Sequence, residues 1–578
     1  MAYKKWKKPE IEKKEFDPKY PPSMRQDDCI SVVSWILNKA SLSFTLIAKI
    51  SKFNKGFSEE IKKTVNALVV MACAGAGKTT LIMFLLDYIC NKAGFKGRIL
   101  VTSFANSIVK ELEKYVWQFR GSEAKGLHGL GYAVLFSNFG KLNLLQRGYG
   151  DAKKCIKTEK ILEKIGVDEA YPWDKEGEDQ VEAFKCLKAF EMVVHFIKVS
   201  LTDWKDERAV ANTIKQYNVE LDGNYNIIIS HLSTVMEESL KQVTVIDFDD
   251  MIWLPIMLEL KIPKFDIIIG DECQDYSAAQ IELIRLSGAL FILVGDRYQA
   301  IYGFAGADIH SVDNILAKFQ AIEMPLDVNY RCDKAIVLEA QKVLDNHFKE
   351  KGIDRKGSDV INPWEGAGDG HVEWLSYTDY LEKVKPGDFI GCRNNAPLVS
   401  PCYKLIKSGK RATIKGKSIA DQIINMYKKV CKDCDTIDAC IEALEEYREK
   451  EIKKVMKRYC GDAGSALDSI GDKVDTLVEF VSLSDSPSKV IGDIEDMFSS
   501  EDKITLGEIS LGSCHYSKGL EFDRCFFLEW DNFMTMRENS STSDYEQRVH
   551  LKYIAITRAK HELYYVRKPP KGEEDEEI

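Results

Sequence analysis

Residues 72–79 read Ala72-Cys73-Ala74-Gly75-Ala76-Gly77-Lys78-Thr79, preceded by the apolar run 67–71 and followed by Thr80 and the apolar run 81–86. In a small-residue turn of this kind successive backbone N–H groups can wrap a phosphate, while Lys78 adds a mobile positive charge and Thr79 a hydroxyl for Mg2+. Ala74, Gly75, Ala76, Gly77, Lys78, Thr79 and Thr80 are therefore the expected nucleotide cradle. The loop departs from the pattern G-x-x-x-x-G-K-[ST] at its first place, which Ala72 holds. Further on, the apolar run 266–270 leads into Asp271-Glu272-Cys273-Gln274-Asp275. ATP hydrolysis needs one carboxylate to hold Mg2+ and a second to take a proton from the attacking water. Asp271 suits the metal and Glu272 the base; an isolated pair of acids could instead cap a helix. A third apolar run, 291–294, ends in Gly295-Asp296-Arg297-Tyr298-Gln299.

These groups converge only if the runs carrying them become neighbouring strands. Strand-like runs recur at 67–71, 98–102, 266–269, 290–294, 388–392, 511–514 and 524–528, several of them followed by helix-like segments. Such alternation predicts an α/β fold with parallel sheets and nucleotide chemistry at the strands' carboxyl ends. Residues from about 108 to 245 and about 420 to 502 are helical by period and short of strand signals, so they read as helical insertions into two α/β lobes.

With 578 residues the chain exceeds one core, and its 45% apolar and 29% charged residues suit a soluble globular protein. No apolar run approaches the ~20 residues of a membrane span. The basic N-terminus has no apolar core behind it, so neither a signal peptide nor an anchor is expected. Fifteen scattered cysteines suit a reducing compartment, and a cytoplasmic protein is expected. Cys431, Cys434, Cys440 and Cys460 could hold Zn2+, but Cys440 falls in helical spacing with Ile437, Ile441 and Leu444; the reading is a buried helix face, with no structural metal. The net charge of −10 does not exclude a nucleic-acid partner, since phosphate contacts depend on local basic groups.

The order D-E-x-Q-D at 271–275, then G-D-x-x-Q-x-I-Y-x-F from Gly295 through Tyr302 to Phe304, resembles motifs II and III of the UvrD/Rep branch of superfamily 1A helicases. Other motifs follow in that family's order. They are Val101-Thr102-Ser103-Phe104-Ala105-Asn106, His128-Gly129, Asn329-Tyr330-Arg331, the stretch 513–521 from Ser513 through His515 to Glu521, and the stretch 553–560 that includes Thr557-Arg558. Pro22 to Gln26 is similar to the family's adenine-reading motif, and Ala72 is common at the loop's first place there. Asp247-Phe248-Asp249-Asp250 and the stretch from Arg393 to Leu398 resemble a subset met in bacteria and phages.

The resemblance implies two RecA-like motor lobes, each carrying a mostly helical insertion: 1–107 with 246–323 as lobe 1, 108–245 as its insertion, 324–419 with 503–568 as lobe 2, 420–502 as a small insertion, and 569–578 as an acidic tail. It implies an ATP-dependent helicase or translocase moving 3′ to 5′ on single-stranded DNA, hydrolysing ATP with Mg2+ at the cleft between its lobes. Lys78, Asp271, Glu272, Gln299, Arg331 and Arg558 would then be catalytic, with Thr79 and Asp271 on Mg2+. Gln26, Tyr330 and Glu521 would hold the adenosine. Phe104, Asn106, His128, Tyr302, Phe304, Ser513 and His515 would touch DNA, where aromatic faces stack on any base. Single-stranded DNA, single-strand/duplex junctions and replication or repair proteins are the expected partners, with the chain a monomer in isolation. Two alternatives stay open: a translocase that strips proteins from DNA without unwinding, and a nucleotide-switched DNA-binding module. Ala305, where many relatives carry Arg, Ser513 in place of Thr, and an extra stretch near 39–62 depart from the family pattern.

Overall fold

The computed structural model describes residues 24–38, 66–104, 106–145, 157–167, 178–217, 219, 221, 223–301, 311–352, 359–458, 464–498, 507–535 and 542–567. Contacts divide these into two compact units: one runs to Ala72 and from Gly77 to Asp327, the other takes Cys73–Ala76 and the residues from Val328 onward.

The main sheet of the first unit has six strands: β1 (Ala67–Ala72), β2 (Ile99–Ser103), β3 (Ser122–Ala124), β4 (Phe265–Asp271), β5 (Gly288–Gly295) and β6 (Ile322–Leu326). They pair in parallel in the order β3-β2-β4-β5-β1-β6. Every residue of β1 is buried, the expectation for an inner parallel strand covered on both faces, and its unbroken apolar composition follows from that. The register sets Met71 beside Gly295 and Ser103 beside Asp271, so the chemistry-bearing carboxyl ends share one edge of the sheet. Helix α1 (Met24–Asn38) buries Cys29, Val32, Val33 and Ile36, a single face at helical spacing, and packs on α2 (Lys78–Asp87).

Helices then dominate: α3 (Asn106–Val116), α4 (Leu127–Phe139), α5 (Lys157–Lys164), α6 (Glu178–Ser200), α7 (Glu207–Gln216), α8 (Tyr225–Lys241) and α9 (Asp250–Met257). Helices α4 to α9 enclose a core that includes Phe190, Phe196, Leu232, Val235 and Trp253. Three charged side chains sit inside it. Asp250 binds Lys157 Nζ at 2.8 Å and Lys198 Nζ at 2.9 Å, all three no more than 1% exposed, and Lys198 also meets Asp247 at 2.8 Å.

The second unit carries the strands β7 (His371–Leu375), β8 (Phe389–Cys392), β9 (Ala412–Ile414), β10 (Ile509–Ser513), β11 (Phe522–Phe527) and β12 (Ala559–Val566), parallel in the order β7-β12-β11-β8-β10-β9. Helices α10 (Lys417–Val430), α11 (Ile437–Arg458), α12 (Gly464–Leu483) and α13 (Val490–Met497) share one buried cluster with this sheet, Ile423, Leu477 and Phe480 lying among Ile390, Leu511 and Phe526. Helix α14 (Thr542–Ile556) leads into β12.

Seven strands fall on the apolar runs of the sequence. Four of the other five lack that signal for identifiable reasons. β6 reads Ile322-Glu323-Met324-Pro325-Leu326; it is an edge strand paired only with β1, where the missing N–H of Pro325 is tolerated. β3 and β9 are three residues each, and β12 begins with the polar stretch Lys560-His561-Glu562.

Candidate nucleotide site

In the first unit, Gly77 caps α2 in the left-handed region, φ +76°, a conformation that costs Gly nothing and other residues about 1 kcal/mol or more. The helix therefore starts at Lys78 with its first N–H groups free to point at an anion. Lys78 Nζ lies 2.8 Å from Glu272 Oε2. Burial alone would lower the Lys78 pKa, but Glu272, then Asp271 and Asp296, hold it above the usual range. Asp271, 2% exposed at the end of β4, is pushed up to about 7 by burial and then by the neighbouring Glu272 charge, against the pull of Lys78. Glu272 itself adopts φ +52°, unusual for a residue with a Cβ, and strain of order 1 kcal/mol at such a place goes with a functional role.

The last strand end joins the same network through Gln274, which sequence reasoning quoted without a role. Its Nε2 donates to Glu272 at 2.7 Å, and its Oε1 accepts from the Asp296 backbone N–H at 3.0 Å. Gln299 Nε2 donates to Asp296 at 2.6 Å. Asp296, raised to about 6 chiefly by burial, was likewise legible in the sequence, as the acid of the G-D-x-x-Q stretch, but without a role. Thr79 and Thr80 stay exposed, where their hydroxyls can meet a ligand. Gln26 is buried, with Nε2 3.5 Å from where a Cβ on Gly77 would stand, so the adenine-motif residue does lie at the phosphate loop.

The second unit orders the early loop. Ala74 N–H donates to Tyr553 Oη at 2.9 Å, Asn329 Nδ2 donates to the Ala74 carbonyl at 2.7 Å, and Tyr330 N–H donates to the Gly75 carbonyl at 2.9 Å. Gly75 has φ +69°, and a Cβ there would come within 2.7 Å of Arg331 Cβ. Asn329 Oδ1 accepts from the Arg331 and Cys332 N–H groups. Arg331 Nε lies 2.9 Å from Glu521, which also pairs with Lys560 at 2.9 Å. Arg558 is 1% exposed, its guanidinium donating to the Ile554 and Leu520 carbonyls and to Thr557 Oγ1. Burial, then the Arg331 charge, lowers its pKa to about 10. Tyr330 is 41% exposed, its ring 6.3 Å from Trp364, which leaves a face open to stacking.

Of the expected DNA contacts, Phe104 is half-buried against the core of the first unit, and His128 on α4 meets the exposed Phe248 edge-on, centroids 5.9 Å apart. Ser513 ends β10 nearly buried, its Oγ accepting from the Tyr516 N–H at 3.3 Å, whereas His515 is exposed. Asn106 opens α3. Tyr302, Phe304, Ala305 and the stretch 39–62 lie outside the described residues.

A phosphate loop after an inner parallel strand, with acids at the ends of the neighbouring strands, defines a nucleotide-hydrolase class of α/β protein. The chain belongs to the UvrD/Rep helicase family: residues 53–320 match the UvrD/REP helicase N-terminal domain and residues 397–567 the UvrD-like helicase C-terminal domain. Its two parallel sheets are the RecA-like lobes of that family. The ATP-dependent DNA helicase Rep of Escherichia coli (strain K12) is 25% identical over 325 residues, covering 52% of this chain and 45% of the relative. The ATP-dependent DNA helicase PcrA of Staphylococcus aureus (strain Mu50) is 25% identical over 327 residues, 53% of this chain and 41% of the relative. The matched region thus spans under half the length of these curated relatives.

Proposed function

We propose that this chain is an ATP-dependent DNA helicase or translocase that moves 3′ to 5′ on single-stranded DNA. The observation carrying the reading is the gathering of Lys78, Asp271, Glu272 and Asp296 at adjoining strand ends, with Gln299 on Asp296. Lys78 would take the β- and γ-phosphates, Thr79 and Asp271 would hold Mg2+, Glu272 would accept the proton of the attacking water, and Gln299 would sense the γ-phosphate. Gln26, Tyr330 and Glu521 would hold the adenosine, and the rest of the phosphate cradle, from Ala74 to Thr80, the phosphates. Arg331 and Arg558 would meet the charge developing on the transferred phosphoryl group, with hydrolysis at the cleft that the family's pattern implies.

Mg2+ chemistry fits the donor set, because Asp271 and Thr79 supply hard oxygens. The domain boundaries given above, a cytoplasmic location, a monomeric state and an affinity for single-strand/duplex junctions belong to the same proposal. No helix among the described residues is long and apolar enough to cross a membrane. His128, Ser513, His515 and the aromatic residues Phe104, Tyr302 and Phe304 would line the path of the strand. Unwinding of duplexes with 3′ or 5′ single-stranded tails tests the direction: 3′ tails support unwinding, and activity confined to 5′ tails overturns the polarity. Translocation without strand displacement would favour the protein-stripping alternative.

A further inference from the structure

The turn between α10 and α11 brings together three thiols. Cys431 ends α10, the Cys434 N–H donates to the Cys431 carbonyl at 3.3 Å across the turn, and Cys440 sits in the first turn of α11 with its N–H on the Thr436 carbonyl at 3.1 Å. Their Sγ atoms all lie within 4.8 Å of one another, and among the described residues no other three His, Cys, Asp or Glu side chains converge in this way. The helical spacing that marks Cys440 as a core residue is present, and Cys440 is fully buried; the turn nevertheless aims its sulfur at the other two.

We propose that Cys431, Cys434 and Cys440 form a three-thiolate site for a borderline-soft divalent ion, zinc first. Zinc–sulfur bonds of about 2.3 Å in a tetrahedral shell place sulfurs about 3.8 Å apart, so closing on an ion asks any pair to approach by about 1 Å or less. The fourth position is left to water. As each Zn–S bond forms, the thiol gives its proton to solvent; no oxidant is needed. The thiol protons now point at carbonyls, Cys431 Sγ lying 3.7 Å from the Cys440 oxygen and Cys434 Sγ 3.6 Å from that of Ala439. Tyr427 Oη donates to the Pro487 carbonyl at 2.8 Å and stands 3.7 Å from Cys440 Sγ, an outer group that holds this sulfur in place.

The test uses the full chain without an affinity tag, purified under reducing conditions, with metal content measured by mass spectrometry and Co2+ titrated into the chelator-treated protein. The expected result is one zinc per chain and, with Co2+, thiolate-to-cobalt charge-transfer absorption with intense tetrahedral d–d bands. Cys434→Ser at the half-exposed position should keep the wild-type circular dichroism and weaken Co2+ binding at least about tenfold, since even outer-sphere losses cost that much. Cys90→Ser, outside the cluster, should leave the spectrum unchanged. No charge-transfer band in the reduced wild type, equal affinity in Cys434→Ser, equal loss in Cys90→Ser, or a disulfide among the three cysteines in the reduced protein would each overturn the assignment.

Discussion

Lys78 Nζ and Glu272 Oε2 are 2.8 Å apart, so the ammonium that opens the helix after the phosphate loop and the carboxylate at the end of β4 neutralise each other. On the proposed roles, ATP would draw Lys78 to its phosphates and so release Glu272 to face the attacking water. Replacing the base without changing its shape separates the two roles. Glu272→Gln should bind a fluorescent ATP analogue at least as tightly as wild type, while kcat falls at least about 100-fold, the usual contribution of a positioned base.

Titration of Asp271 gives the site a pH signature. Its folded value, about 7, lies above the ordinary 3.8, so the folded protein takes up this proton as pH falls through about 7. As the proposed Mg2+ ligand, Asp271 would bind the ion only in its ionised form. The Mg2+ concentration for half-maximal ATPase should therefore rise as pH drops below about 7. Stability carries the opposite sign: a raised carboxyl pKa favours the folded state as pH falls from about 7 towards 4. Asp271→Asn should lose the Mg2+ dependence and weaken that of stability, to which Asp296, raised to about 6, still contributes with the same sign; Mg2+ titration and thermal melting across that range measure both.

Gln274 ties the second acid to the third strand end. Gln274→Ala would leave the buried Asp296 N–H without its acceptor and remove a donor from Glu272. A stability loss of roughly 1–3 kcal/mol is expected from chemical denaturation, together with slower hydrolysis.

The sequence made the core of this arrangement readable because parallel inner strands must be apolar along their whole length. The runs behind Lys78, Asp271 and Asp296 announced themselves for that reason, and the acids at their ends followed. Edge strands carry no such demand, so β6 with its Glu323 and Pro325, and the short β3 and β9, gave no signal. Gln274 was visible as a letter but not as a link, since its worth lies in touching Glu272 and Asp296 at once. Asp247-Phe248-Asp249-Asp250 was visible only as a family resemblance. Its physical role emerges from two distant lysines on α5 and α6 that no local pattern could pair with it.

That buried group yields a prediction remote from the nucleotide. Asp250→Ala would strand the ammonium groups of Lys157 and Lys198 in the helical core without their shared carboxylate. Breaking a buried pair in this way costs about 3–5 kcal/mol. Urea denaturation should show that loss, and a drop below about 1 kcal/mol would mean water reaches the cluster.

On the proposed function, the site at Lys78, Asp271 and Glu272 would hydrolyse ATP under the control of single-stranded DNA. Steady-state ATPase of the full chain, measured with single-stranded DNA, duplex DNA, RNA or no nucleic acid, tests it most directly. Strong stimulation by single-stranded DNA, abolished in Lys78→Ala, is the predicted result; turnover retained by Lys78→Ala, or a rate indifferent to DNA, would contradict it.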